Sequence, residues 1–282
     1  MIPGTYYIGA ITDLYNRVVE NNETNNVLAG NSIAISGPDM VVSSVTGPSA
    51  GSTGNSITIT DTVTNQGQGY ASKFFEGIYL SMDTTITPSD ILISGRWVNG
   101  MAPAETNSSS RIATLPINGT PGTYYIGAIA DITFGFCAPT NYYYHRVAEN
   151  NENNNAMAGN SIAISGPDMV ISSVTGPQVG STGNSITITD TVTNQGQGYA
   201  SKFFEGIYIS TDATITTSDM LIGGRWRNGM APGETNTSST TVALPANLAP
   251  GTYYIGAIAD VYNRVVENNE ANNALAGNSI AI

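Results

Sequence analysis

Along residues 185–193, Ile186, Ile188 and Val192 alternate with Thr187, Thr189, Thr191 and Thr193. Side chains of a strand point alternately to its two faces, so this period of two predicts one buried face and one solvated face. Residues 194–198, NQGQG, break the alternation with turn formers. Similar runs predict strands at 169–174, 203–210, 220–227, 240–244, 252–259 and 274–282. Seven short strands punctuated by turns predict an all-β, immunoglobulin-like two-sheet sandwich. Its expected core holds Ile186, Ile188, Val192, Ile207, Ile209, Tyr253 and Ile255.

The pattern recurs. NSIAISGPDM begins at Asn31 and again at Asn160, and residues 31–131 align without gaps onto 160–260. PGTYYIGA begins at Pro3, Pro121 and Pro250, each time followed by an RVxENN segment. A fixed period of this size marks tandem domains, here of roughly 118 residues. We expect a partial repeat at 1–36 and complete sandwiches at 37–165 and 166–282, the first with a loop insert near 132–145. The joints, SGPD, are short and contain proline, which favours a rod of domains over flexible beads.

The partial repeat matches only the last strand pair of a unit, which cannot bury a sandwich face by itself. It is expected to be a slice of a longer array. The alternative is a pair that completes another chain's sheet, joining copies head to tail.

Charge and composition narrow the partners. The net charge is −12, which disfavours nucleic acid and anionic membranes and favours divalent cations. Charged residues make up 11% of the chain, so hydroxyls and amides must cover the surface. Cys137 is the only cysteine, so no internal disulfide forms, and no apolar run is long enough to insert in a membrane.

The runs PDMVISSVTGP, GNSITITDTVTNQG, GIYISTDATITTSD, LAPGTYYIGAIAD and ENNEANN together resemble the cell-adhesion-related domain of bacterial surface proteins, the CARDB domain. The resemblance spans nearly the whole chain. It implies an exported immunoglobulin-like module, usually in arrays on bacterial or archaeal surfaces, with no defined enzymatic activity and, for most members, no defined ligand. The insert in the middle copy departs from that pattern.

Two constellations have calcium chemistry, since Ca²⁺ takes six to eight oxygen ligands from carboxylates, amides and carbonyls. One is the loop 210–219, with Asp212 and Asp219, matched by Asp83 and Asp90 in the first repeat. Its other reading is a turn in which each aspartate caps backbone amides. The second is the hairpin end with Asp260, Asn263, Glu267 and Glu270, where Arg264 is the one nearby cation. Its counterparts are Asp13, Glu20 and Glu23, and Asp131, Glu149 and Glu152, the last set interrupted by the insert, so that a site there would need rearranging. Its other reading is a solvated loop with Arg264 paired to Glu267.

Glu76 and Glu205 fall at inward strand positions and call for an arginine partner. Trp97 and Trp226 point outward, either to cover a sheet edge or to stack on a sugar or a neighbouring protomer. Cys137 and His145 lie in the insert with Tyr142, Tyr143 and Tyr144, without a third group to make a catalytic set. Sequons begin at Asn22, Asn107, Asn118 and Asn236. The reading is therefore a calcium-stiffened structural or adhesive array, self-associating or binding other surface proteins and glycans. Its rival is a carbohydrate- or protein-binding accessory module of a secreted enzyme.

Overall fold

The computed structural model describes residues 1–132 and 147–282. The expectations for Cys137, His145, Asn141 and the three tyrosines of the insert lie outside those residues.

Among the described residues every regular element is a strand. Gly4–Ile11 (β1) and Val27–Ile35 (β2) pair antiparallel as a two-stranded sheet. The first repeat runs Met40–Thr46 (β3), Ala50–Ser52 (β4), Ser56–Asn65 (β5), Phe74–Ser81 (β6), Ile91–Val98 (β7), Thr106–Thr114 (β8), Gly122–Ile129 (β9) and Ala156–Ser165 (β10). Its sheets have the orders β3-β5-β8 and β4-β10-β9-β6-β7. The second repeat has Met169–Thr175 (β11), Ser185–Asn194 (β12), Phe203–Ser210 (β13), Met220–Arg227 (β14), Thr235–Ala243 (β15), Thr252–Ile258 (β16) and Ala274–Ala281 (β17). Its sheets are β11-β12-β15 and β14-β13-β16-β17, the seven strands of an immunoglobulin-like sandwich. The chain divides into two compact units, Met1–Gly47 with Ile59–Arg111 and Tyr125–Asn160, and Pro48–Thr58 with Ile112–Tyr124 and Ser161–Ile282.

The second repeat shows why these residues fold this way. Ile186, Ile188, Val192, Ile207, Ile209 and Ile255 are buried in one cluster, and Tyr253 packs partly buried against it. Outward, Thr187, Thr189, Thr191 and Thr193 pair rung by rung with Thr241, Ser239, Thr237 and Thr235 through hydroxyl contacts of 2.8–3.1 Å. Each such cross-strand pair adds a few tenths of a kcal/mol, up to about 1 kcal/mol. The turn after β12 is fastened by buried Asn194, whose Nδ2 donates to the carbonyls of Gly198, Met230 and Ala231. Its Oδ1 accepts from the amides of Asp168 and Gly196, so the buried amide is fully used.

One boundary differs from expectation. β15 begins at Thr235, five residues before the apolar run at 240–244. Its first inward residues are Asn236 and Ser238, which face a polar part of the interior, so hydrophobic periodicity is silent there.

Candidate metal centre

The acidic hairpin end forms where β16 leaves the sheet. Asp260 adopts φ +45° and Asn263 φ +49°, left-handed conformations that Asp and Asn tolerate better than most residues. The tight turn closes with the Asn263 amide on the Asp260 carbonyl at 2.9 Å, and the Val265 amide donates to Asp260 Oδ2 at 2.7 Å. Glu270 Oε1 accepts the Glu267 amide at 2.9 Å, and Asn273 Nδ2 donates to Glu267 Oε1 at 2.7 Å. Glu267 Oε2 accepts the amide of Met169, the first residue of β11. The glutamate thus ties the repeat's first strand to its last hairpin. Around it, Asn268 pairs both ways with Gly166 at 2.8 and 3.0 Å, and Asn272 Nδ2 donates to Asp168 Oδ1 at 2.9 Å.

The electrostatics of this loop are unbalanced. Burial, reinforced by Glu270 and Asp260, pushes the Glu267 carboxyl up to about 7, despite the Met169 and Asn273 hydrogen bonds that favour its charged form. Asp260 Oδ1, Asn272 Oδ1 and Asn273 Oδ1 are buried without a hydrogen-bond donor. All three are acceptors of the hard oxygen type that calcium prefers. The residues fit a divalent cation.

The first repeat builds the same loop despite its insert. Asp131 Oδ2 accepts the Val147 amide at 2.8 Å, Glu149 Oε2 accepts the Met40 amide, and Asn155 Nδ2 donates to Glu149 Oε1 at 2.9 Å. One carboxylate oxygen each from Asp131, Glu149 and Glu152 lies within 4.8 Å of the others. Burial, with Asp131 and Glu152 adding repulsion, raises Glu149 to about 7. The flanks of the insert stay in register, since the Ala130 amide meets the Asn155 carbonyl at 2.9 Å just as Ala259 meets Asn273. No rearrangement is needed.

The other candidates are placed differently. In the hairpin, Asp13 spends both carboxylate oxygens on the amides of Arg17 and Val18, each at 2.8 Å, and Glu23 accepts the Glu20 amide at 2.9 Å. The local turn is the same, but among the described residues no strand donates to Glu20 the amide that β11 gives Glu267. At 210–219 the carboxylates act as caps: Asp212 accepts the Thr214 amide at 2.7 Å, and Asp219 accepts the Thr216 amide and hydroxyl at 2.7 and 3.1 Å. Asp83 and Asp90 do the same for Thr85 and Thr87. Desolvation opposes ionisation of Asp219, yet the bonds from Ser210 and Thr216 outweigh it and hold its carboxyl below the usual range. Asn263 serves the turn, and Arg264 sits 5.4 Å from the Trp226 ring centroid.

The CARDB family model matches residues 37–159 and 166–277. The chain belongs to the CARDB family. Among solved structures, it is similar to the CARDB domain of a Pyrococcus furiosus protein, whose crystal structure is in complex with di-metal ions. That match has 23% identity, covers 41% of this chain and 92% of that one, and has a TM-score of 0.32. A solution structure of that domain matches at 24% identity, covering 42% and 95% of the two chains, with a TM-score of 0.32. A domain of a candidate cell surface protein from Methanosarcina acetivorans matches at 22% identity, over 41% and 90% of the chains, with a TM-score of 0.31. Comparison with curated proteins finds no match.

Inside each CARDB repeat lies a second polar constellation. Glu205 is fully buried and accepts from Arg227 Nε at 2.5 Å and Arg225 Nη2 at 2.8 Å, while Arg225 also reaches buried Asp190. In the first repeat Glu76 accepts from Arg96 Nε at 2.7 Å and Arg111 Nη2 at 2.9 Å, with Asp61 beside them. The expected arginine partners are present. The second arginine has moved between copies: Arg111 and Val98 stand where the second repeat has Thr240 and Arg227. Each repeat keeps two arginines for two carboxylates. Burial first, then the neighbouring carboxylate, raises Glu76 to about 7 in one copy and Asp190 to about 7 in the other, while against its own burial a hydrogen bond with Asp190, then the two arginines, hold Glu205 low.

Asp61 and Asp190 escaped the pattern reading, although the signal was available. Each sits at the inward parity of its strand, between isoleucine and valine. The same network occupies two sequons, because Arg227 donates to Asn236 Oδ1 and Arg96 to Asn107 Oδ1, both at 2.6 Å.

Proposed function

We propose that this CARDB chain is an extracellular structural or adhesive array whose hairpin-end loops bind calcium. The observation that carries the reading is the buried, oxygen-lined loop that ties the first strand of a repeat to its last hairpin. Asp260, Glu267, Asn272 and Asn273 would hold the ion in the second repeat, and Asp131, Glu149 and Glu152, with Asn155, in the first. The cation would supply the positive charge that these carboxylates lack and brace the tie between a repeat's first strand and its last hairpin. Family membership supports a surface location and a non-enzymatic role.

Rod-like arrays and filaments belong to the same proposal. The exposed apolar side chains of the hairpin support head-to-tail association, since Ile8 and Val18 are 60% and 59% exposed. Deleting residues 1–36 should then lower the mass seen by sedimentation, and an unchanged monomer would reject self-association through this segment. For the metal, calcorimetric titration of the chelated protein with CaCl₂ should show binding that is lost in Asp260→Asn/Asp131→Asn. Absence of binding in the wild-type chain would refute the calcium reading.

A further inference from the structure

The distribution of cations points to a ligand. Eight lysines and arginines lie among the described residues, and Arg96, Arg111, Arg225 and Arg227 are committed to the buried networks. The other four all lie beside aromatic rings. Lys73 is 5.2 Å from the Trp97 centroid, Lys202 is 5.3 Å and Arg264 5.4 Å from Trp226, and Arg17 is 5.6 Å from Tyr15. On a protein of net charge −12, the surface cations of the described residues thus sit in aromatic patches.

The second repeat shows the fullest patch. Phe204 and Trp226 are register partners on β13 and β14, with ring centroids 5.3 Å apart. A Cβ at Gly224 would lie 2.5 Å from Phe204 Cζ, so glycine there lets the phenyl ring lie across the sheet. Tyr262 adds a third ring, 5.9 Å from Trp226 and tilted only 32° to it. Trp226 is 45% exposed and Tyr262 56% exposed. Lys202 and Arg264 are exposed beside these rings, and neither has an ion-pair partner among the described residues.

We infer that this face binds acidic saccharides. An aromatic surface of this size accepts the C–H face of a pyranose ring, and a carboxylate on the ring would meet Lys202 or Arg264. A neutral sugar would leave both cations unused, while a small inorganic anion would leave the exposed rings unused. Trp97, Phe75 and Lys73 repeat the arrangement on the first sandwich, with Phe75 and Trp97 5.3 Å apart. This deepens the adhesive reading by naming a ligand class, but it rests on the aromatic patch and not on the metal.

The test titrates a short oligogalacturonate into the full chain in EDTA, so that calcium bridges play no part, and follows the heat of binding by isothermal titration calorimetry. Neutral oligogalactose and oligoglutamate are the counter-probes. The expected result is binding of oligogalacturonate alone, weakened by about tenfold or more in Lys73→Gln/Lys202→Gln and in Trp97→Ala/Trp226→Ala, as expected when a cation or a stacking ring is lost. Thermal unfolding should be near wild type in these exposed variants. No binding of oligogalacturonate, or equal affinity in both double variants, would overturn the inference. Oligoglutamate binding as tightly would overturn the saccharide assignment and indicate an acidic protein partner instead. None of these outcomes bears on calcium.

Discussion

Residues 1–35 and 248–282 differ at only six positions, yet they live in opposite environments. Both form the same antiparallel pair, with the same irregularity after the second tyrosine, Tyr7 in one and Tyr254 in the other. Both close the same left-handed turn, at Asp13 and Asn16 in one and at Asp260 and Asn263 in the other. Burial separates them. Ile255 and Val265 are 0% and 1% exposed, whereas Ile8 and Val18 are more than half exposed. Local sequence therefore dictates the hairpin and its turn, while the core and the completed acidic loop depend on five further strands.

The largest test of that contrast lies in what the hairpin wholly lacks, the buried ion network. Arg227→Val should destabilise the second repeat by about 3–5 kcal/mol, because it strips a partner from a buried carboxylate. Adding Thr240→Arg recreates the first repeat's arrangement and should recover most of the loss. Urea unfolding of the single and double variants measures both, and a double variant as unstable as the single would show that the two networks are not interchangeable.

Next comes the core itself. Ile255→Ala should cost about 2–5 kcal/mol, the usual range for a buried isoleucine. Its twin Ile8→Ala should change stability by no more than about 0.5 kcal/mol, as exposed substitutions do. Equal losses in chemical denaturation would mean that the hairpin is buried against something in solution.

Calcium sharpens the comparison further. At a hundredfold excess over its dissociation constant, an ion binding only the native state adds about 2.7 kcal/mol. The resulting rise in Tm should shrink in Asp260→Asn and Glu267→Gln and persist in Asp13→Asn and Glu20→Gln. Differential scanning calorimetry with and without CaCl₂ reads the difference, and loss of the shift in the hairpin variants would place the ion there instead.

The last contrast is a pH slope. Glu76 and Asp190 keep their protons up to about 7 in the folded repeats, against ordinary values of 4.5 and 3.8 in the unfolded chain. Between those limits the folded state binds more protons, so these groups make stability fall as pH rises from about 4 to about 7. Their contribution is fully present below the ordinary carboxylate range. Glu76→Gln/Asp190→Asn should flatten the slope of the urea midpoint against pH in EDTA, and an unchanged slope would assign it elsewhere. Hairpin residues enter neither network, so Asp13→Asn should leave the slope alone.

Period-two alternation, the repeats and the PGTYYIGA…ENNE segments were sufficient to read the sandwich, its core isoleucines and its membership of an adhesion-related family. The carboxylates of the acidic loop were legible for the same reason: their turn is made by neighbours in sequence. What sequence left open was which chemistry each aspartate performs. Asp212 and Asp260 carry the same side chain, but Asp212 caps an exposed turn, while Asp260 is buried in a loop closed by an amide from β11. The inward position of Asp190 was legible from strand parity, but its partner Arg225, like the partner Arg227 of the start of β15, comes from a different sheet and was not. Alternation along a strand reports which way a side chain points. Only the packed sandwich supplies the distant amides and guanidinium groups that decide what it meets there.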